Sequence, residues 1–180
     1  YRIASLHAPM AAAFNEDGFK NQYIQSLHDA LSGKKADYKV EGNELNQTGK
    51  ATGILAGGNL SLLANVTGTP SQIKTRNKIL FIEEVGEYIY NADRMIYQLK
   101  RSGQLDHLKA LIIGSFSEMK DTTIPFGQTI EQAIKELVKE YRYPVCFGFP
   151  VGHDKENYAL KIGVKYKLSV TEASVELKEL

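Results

Sequence analysis

Cysteine is all but missing from this chain: Cys146 stands alone among 180 residues. A single thiol excludes an internal disulfide framework and leaves metal sites of the multi-cysteine type without ligands. No two histidines fall at metal-ligand spacing, which argues against a zinc hydrolase. Long apolar runs are missing too. None approaches the roughly 18 residues that cross a bilayer, and the N-terminus lacks a charged region followed by an apolar one, so no membrane is expected as a partner. Blocks of about five Lys or Arg are likewise absent. With a formal net charge of +1, nothing here tracks a phosphate backbone, and nucleic acid is not an expected partner.

What remains is the make-up of a soluble globular protein, with 43% hydrophobic and 24% charged residues. The length suits one domain with a substantial core, residues 1–180, and no repeat or low-complexity linker divides it. The chain opens on Tyr1-Arg2 rather than Met, the expected mark of a piece of something longer. Its scarcity of cysteine suits a reducing cytoplasm.

Periodicity supplies a mixed α/β order. Tyr1 to Pro9 reads as a short strand. Residues 15–32 read as a helix with Phe19, Tyr23, Leu27, Ala30 and Leu31 along one side and Gly33 at its end. Tyr38 and Val40 alternate as in a modest strand. Ala51 to Ala56 is a strand, followed by a tight Gly57-Gly58-Asn59 turn whose Asn caps a helix buried through Leu60, Leu63 and Ala64. Ile79 to Ile82 is a strand buried on both faces, followed by a helix at 88–102 with Ile89, Ala92, Ile96 and Leu99 inward. Ala110 to Ile113 is a further buried strand, and Gly114 to Phe126 a polar loop. Ile130, Ala133, Ile134, Leu137, Val138 and Tyr141 share one face of a helix at 128–141. Strands near 144–149, 158–161, 163–170 and 173–177 finish the chain.

Two places carry chemistry. The strand Ile79–Ile82 stops at Glu83 and Glu84, just before a helix, where open α/β sheets keep their sites. Such a carboxylate can also be plainly solvated or accept amides at the start of a helix. Seventy residues on, Pro144 to His153 runs an apolar strand into a glycine-bracketed turn with an imidazole at its tip. Glu84 and Glu87 are expected to solvate the turn or pair with Arg94, and His7, His28 and His107 to be ordinary residues. Gly57-Gly58-Asn59 is a structural turn that could also cradle an anion. Cys146 reads as a small core residue.

Four blocks in order, GILAGGNLSLLANVTGTP (53–70), KILFIEEVGEYIYNADRMIYQL (78–99), ALIIGSF (110–116) and GFPVGHDKENYAL (148–160), resemble the C-terminal domain of the LD-carboxypeptidases. These are bacterial cytoplasmic serine peptidases that trim murein tetrapeptides, with microcin-immunity proteins as relatives. The resemblance implies a mixed β-sheet with flanking helices, the swivelling β/β/α-like C-terminal domain of that family. It also implies that Glu83 and His153 are the acid and base of a Ser-His-Glu triad, that Gly57, Gly58 and Asn59 lie close enough to the cleft to contact substrate, and that no metal or organic cofactor is needed. Lys161 stands where the family commonly has Pro, which restores a backbone N–H and leaves the pairing of that edge, and the substrate selection near it, open.

A triad also needs a nucleophile. The family's serine lies on a Gly-x-Ser-Asp turn in a separate N-terminal domain, and that motif is nowhere in these residues. Neither Ser61 nor Ser115 sits in a Gly-x-Ser-x-Gly elbow; Ser61 reads as a first-turn helix residue and Ser115 as a strand-end residue. The chain is therefore expected to be inert alone and to work with its own N-terminal domain, within a homodimer as relatives are. A binding or immunity-type module that captures a peptide or nucleotide-peptide conjugate is the alternative.

Overall fold

The computed structural model describes residues 3–14 and 21–180. In chain order the elements are β1 (Ser5–His7), a 3-10 turn (Ala11–Phe14), α1 (Gln22–Leu31), β2 (Asp37–Glu41), β3 (Gly49–Asn59), α2 (Leu60–Asn65), β4 (Lys78–Val85), α3 (Ile89–Arg101), β5 (Ala110–Ser117), α4 (Ile130–Val138), β6 (Val145–Cys146), β7 (Leu160–Ile162), β8 (Lys165–Val170) and β9 (Ser174–Glu179).

Seven strands form one mixed sheet in the order β2-β9-β8-β3-β4-β5-β6. From β3 to β6 the strands are parallel and in sequence order, each joined to the next through a helix. Right-handed crossovers between strands laid down in one direction put all their helices on one face. The core obeys this: Leu80, Ile82, Leu111 and Ile113 pack with residues of α2, α3 and α4 on one side. Ile79, Phe81, Ala110 and Ile112 pack on the other side with Phe149, Val151, Tyr166 and Leu168. Alternate residues of β4 and β5 thus serve two cores, which is why both strands read as unbroken apolar runs. The antiparallel strands β8, β9 and β2 extend the sheet beyond β3.

Several boundaries differ from those expected from periodicity. β4 does not stop at Ile82 but continues through Glu83 and Glu84, both buried. β3 likewise runs on through Gly57 and Gly58 to Asn59, pairing with β4 as far as Glu83, so the expected glycine turn is strand. Gly57 is required there because a Cβ would meet the Phe81 carbonyl oxygen at 1.9 Å. β5 takes in Gly114 to Ser117. Residues 15–20 of the helix expected at 15–32, Phe19 included, fall outside the described residues. In α1 the buried side chains are Ile24 and Ser26, while Leu31 is 70% exposed. Ser26 is drawn in because its hydroxyl donates to Tyr23 and accepts the Ala159 amide. α4 begins on a Thr129–Gln132 capping box and ends at Val138; Tyr141 instead stacks on Tyr143.

A separate two-stranded ribbon joins β1 to β7 in antiparallel register. At its Lys161 the backbone N–H donates to the Tyr166 hydroxyl, and Nζ reaches Lys34 O at 2.7 Å and Glu179 Oε2 at 3.0 Å. Glu179 in turn accepts the Ala36 amide, so this lysine ties the ribbon to the far edge of the sheet.

Candidate active site

Adjacent residues on a strand point to opposite faces, and this separates the two acids of β4. Glu84 turns toward α2. Its carboxylate accepts the Ser61 amide, the Asn59 side-chain amide and the Val85 amide at 2.8, 2.8 and 2.9 Å. The anion at the start of α2 is therefore this protein's own side chain, not a solvated turn residue or a partner of Arg94. Arg94 lies over the Tyr90 ring, and Glu87 accepts from Asn91. Asn59 also caps α2 by accepting the Leu62 amide, and the Ser61 hydroxyl donates to Asn59.

Glu83 turns the other way. Its carboxylate, 0% exposed, meets Nδ1 of His153 through Oε2 at 2.7 Å. Seventy residues apart in sequence, the two side chains are joined across the sheet end. Burial raises the Glu83 carboxyl above its ordinary range; the hydrogen bond and charge of His153 oppose the rise, and the charge of Glu84 adds to it. His153 keeps 39% of its side chain exposed. With Nδ1 committed to a carboxylate, Nε2 is the ring nitrogen left to receive a proton from a reacting group.

The loop that carries His153 is fixed by a residue that sequence reasoning passed over. Asn157, buried, accepts the Gly152 amide at 3.2 Å and donates to the Gly152 carbonyl at 2.6 Å. An Asn a few residues beyond a Gly-His pair is a local turn signal, so its role was open to inference. Val151 anchors the other side, its carbonyl accepting the Ser115 amide at 2.8 Å.

His7 is part of the wall next to Glu83. Its ring lies edge-on to Phe81 with centroids 5.0 Å apart, two residues before Glu83 on the same face of β4. Burial, followed by the charge of His153, lowers its pKa. Its Nε2 is buried and without a partner. Cys146 is fully buried, and burial pushes its thiol up to about 12, which removes it from nucleophilic chemistry.

Of the predicted glycines, Gly57 is closed off by Phe81, whereas at Gly58 a side chain would meet nothing within 4 Å. At the carboxyl ends of β5 and β6 lies a cavity of about 520 Å³ whose walls include Gly114, Ser115, Thr129, Glu131 and Asp154, the last next to His153 in sequence; Glu83 and His153 themselves do not line it. Among the described residues no group of three His, Cys, Asp or Glu is placed to hold a metal ion.

Comparison with known proteins gives these features a setting. The family model for the LD-carboxypeptidase C-terminal domain matches residues 52–168. The probable murein peptide carboxypeptidase of Bacillus subtilis is 35% identical over 130 residues, 72% of this chain and 41% of that protein. The microcin C7 self-immunity protein MccF of Escherichia coli is 28% identical over 133 residues, 73% of this chain and 38% of its own. The crystal structure of the muramoyltetrapeptide carboxypeptidase from Oxalobacter formigenes superposes with a TM-score of 0.84 at 28% identity, covering 98% of this chain and 60% of that one. This chain thus spans between 38% and 60% of the length of these three relatives.

Proposed function

The chain belongs to the LD-carboxypeptidase family, and from that premise we propose that it supplies the acid and base of a serine-type peptidase that removes a terminal D-amino acid from murein tetrapeptide in cell-wall recycling. The observation that carries this reading is the 2.7 Å hydrogen bond between buried Glu83 and half-exposed His153 at the end of a parallel sheet.

In the reaction, Glu83 holds His153 in the tautomer with the proton on Nδ1. Nε2 then takes the proton of a serine as it attacks the carbonyl that precedes the terminal residue. Glu83 stabilises the resulting imidazolium, which returns its proton to the departing amine. Water, activated by the same imidazole, releases the acyl group. The serine and the oxyanion amides come from an N-terminal domain, so this chain alone does not turn over. Exposed Ile3, Met10 and Phe14, close in sequence to His7, support a covering surface in that region. We place the enzyme in the cytoplasm, acting as a homodimer without metal or organic cofactor. Among the described residues no helix is long and apolar enough to cross a membrane. The open backbone at Gly58 is the proposed substrate contact on β3; the Asn59 side chain is taken up by Glu84, Ser61 and Leu62 and serves to hold that strand end.

Release of D-alanine from murein tetrapeptide by the full-length protein, followed by mass spectrometry, tests this. Glu83→Ala and His153→Ala are each expected to lower turnover by on the order of 10³-fold or more. Near-normal release by either variant overturns the reading. The likeness to MccF supports a second reading, an immunity-type module whose site takes a peptide conjugate, and binding of an aminoacyl-nucleotide analogue with no tetrapeptide hydrolysis would favour it.

A further inference from the structure

We propose that Ser115 is a positioning residue for the Glu83–His153 pair, its hydroxyl serving the carboxylate oxygen that His153 leaves free, directly or through one buried water. The role it would play in catalysis rests on the peptidase reading; the contact itself does not.

Two buried polar atoms next to the pair are unserved. Glu83 has no exposed surface, its Oε2 is engaged by His153, and its Oε1 is buried with no hydrogen-bond partner. An ionised carboxylate can only accept, so a buried oxygen without a donor raises the cost of the charge on which the pair depends. The Ser115 Oγ is also buried and partnerless. Both groups flank one point: a Cβ on Gly152 would lie 2.1 Å from Ser115 Oγ and 3.3 Å from Glu83 Oε2. Glycine at 152 leaves the room that the Ser115 hydroxyl occupies on the side of the loop next to Glu83.

The strand geometry aims Ser115 there. β4 and β5 are in register at Ile82–Ile113 and again at Glu84–Phe116, so β5 holds one residue more than β4 in the interval opposite Glu83. Such a bulge re-aims a side chain and releases its backbone from the ladder. The Ser115 amide accordingly turns to the Val151 carbonyl, one residue before Gly152.

Of the other polar groups around Glu83, Glu84 on β4 faces α2 with its carboxylate served by three donors. Asn59, the register partner of Glu83 on β3, gives one amide hydrogen to Glu84 and also favours the ionised form of Glu83, so it is a rival donor. His153 is on Oε2. Asp154, which shares the cavity with Ser115, can only accept. His7 on β1, whose pKa is lowered in part by the charge of His153, has a buried partnerless Nε2 and is a second rival donor.

The experiment is an NMR titration of the His153 ring in the full-length protein, which needs no turnover and so fails or succeeds independently of the peptidase reading. Ser115→Ala is expected to weaken the proton affinity of His153 about three- to tenfold, because a less readily ionised Glu83 supports imidazolium less well. Ser115→Thr, compared with Ser115→Val of equal bulk, is expected to keep the native titration while Val loses it. On murein tetrapeptide, Ser115→Ala is expected to lower kcat about tenfold with KM little changed, and to move the acid limb of the pH profile. An unshifted His153 in Ser115→Ala, equal behaviour of Thr and Val, or a shift caused by His7→Gln alone overturns the proposal.

Discussion

Glu83→Gln is expected to make the folded chain more stable at neutral pH while disabling the site. Burial raises the Glu83 carboxyl above its ordinary value of 4.5, so the folded state binds its proton more tightly than the unfolded state does. Across the window from 4.5 up to the higher native value, the folded state therefore holds more protons. Stability declines as pH rises through that window and stays reduced above it. Glutamine has the same shape and no charge: its carbonyl oxygen can accept from His153 Nδ1, and its amide can donate to Ser115 Oγ. Removing a buried anion whose desolvation outweighs what its hydrogen bonds return is worth about 1–2 kcal/mol. For a chain of this size that corresponds to a rise in Tm of about 2–8 °C. Thermal unfolding followed by circular dichroism at pH 7 should show the rise, and the gap between wild type and variant should narrow as pH is lowered into the window. A variant less stable than wild type at pH 7, or a gap indifferent to pH, would refute the electrostatic account of this residue.

Other substitutions probe the supports. Glu84→Ala removes the acceptor of three donors at the start of α2 and should cost about 3 kcal/mol or more in urea unfolding; a loss below about 1 kcal/mol would mean that α2 does not depend on it. Gly57→Ala forces a Cβ to 1.9 Å from the Phe81 carbonyl and should destabilise by several kcal/mol, whereas Gly58→Ala meets nothing within 4 Å and bears only backbone strain of about 1–3 kcal/mol. Equal losses would contradict the β3–β4 packing. Lys161→Pro deletes the N–H given to Tyr166 and leaves Glu179 without its cation, an expected cost of about 3 kcal/mol measured by the same unfolding assay. Unchanged stability would show that the ribbon is not tied to the sheet through Lys161.

What could be read from the sequence was what local pattern encodes. Ile79 to Ile82, the α3 stripe and the inward face of α4 each carry their period within a dozen or so residues, and each lies in the element it implies. Glu83 and His153 were legible through the blocks around them, although their meeting depends on strand order that no single block encodes. The burial of Glu84 was not legible, because it follows from a β3 that extends through two glycines and delivers Asn59 beside it. Nor was the placement of His7, which requires β1 to pair with a strand about 150 residues later. The bulge that turns Ser115 toward Gly152 is a mismatch between two strands, visible only once they are paired.

The most direct test of the central claim is the tautomer of His153, read from the ¹⁵N shifts of its two ring nitrogens in the neutral imidazole. If Glu83 orients this ring as a general base, Nδ1 carries the proton and Nε2 is bare, and Glu83→Ala disperses that preference. A proton resident on Nε2 in the wild-type protein, or a preference unaffected by Glu83→Ala, would contradict the account.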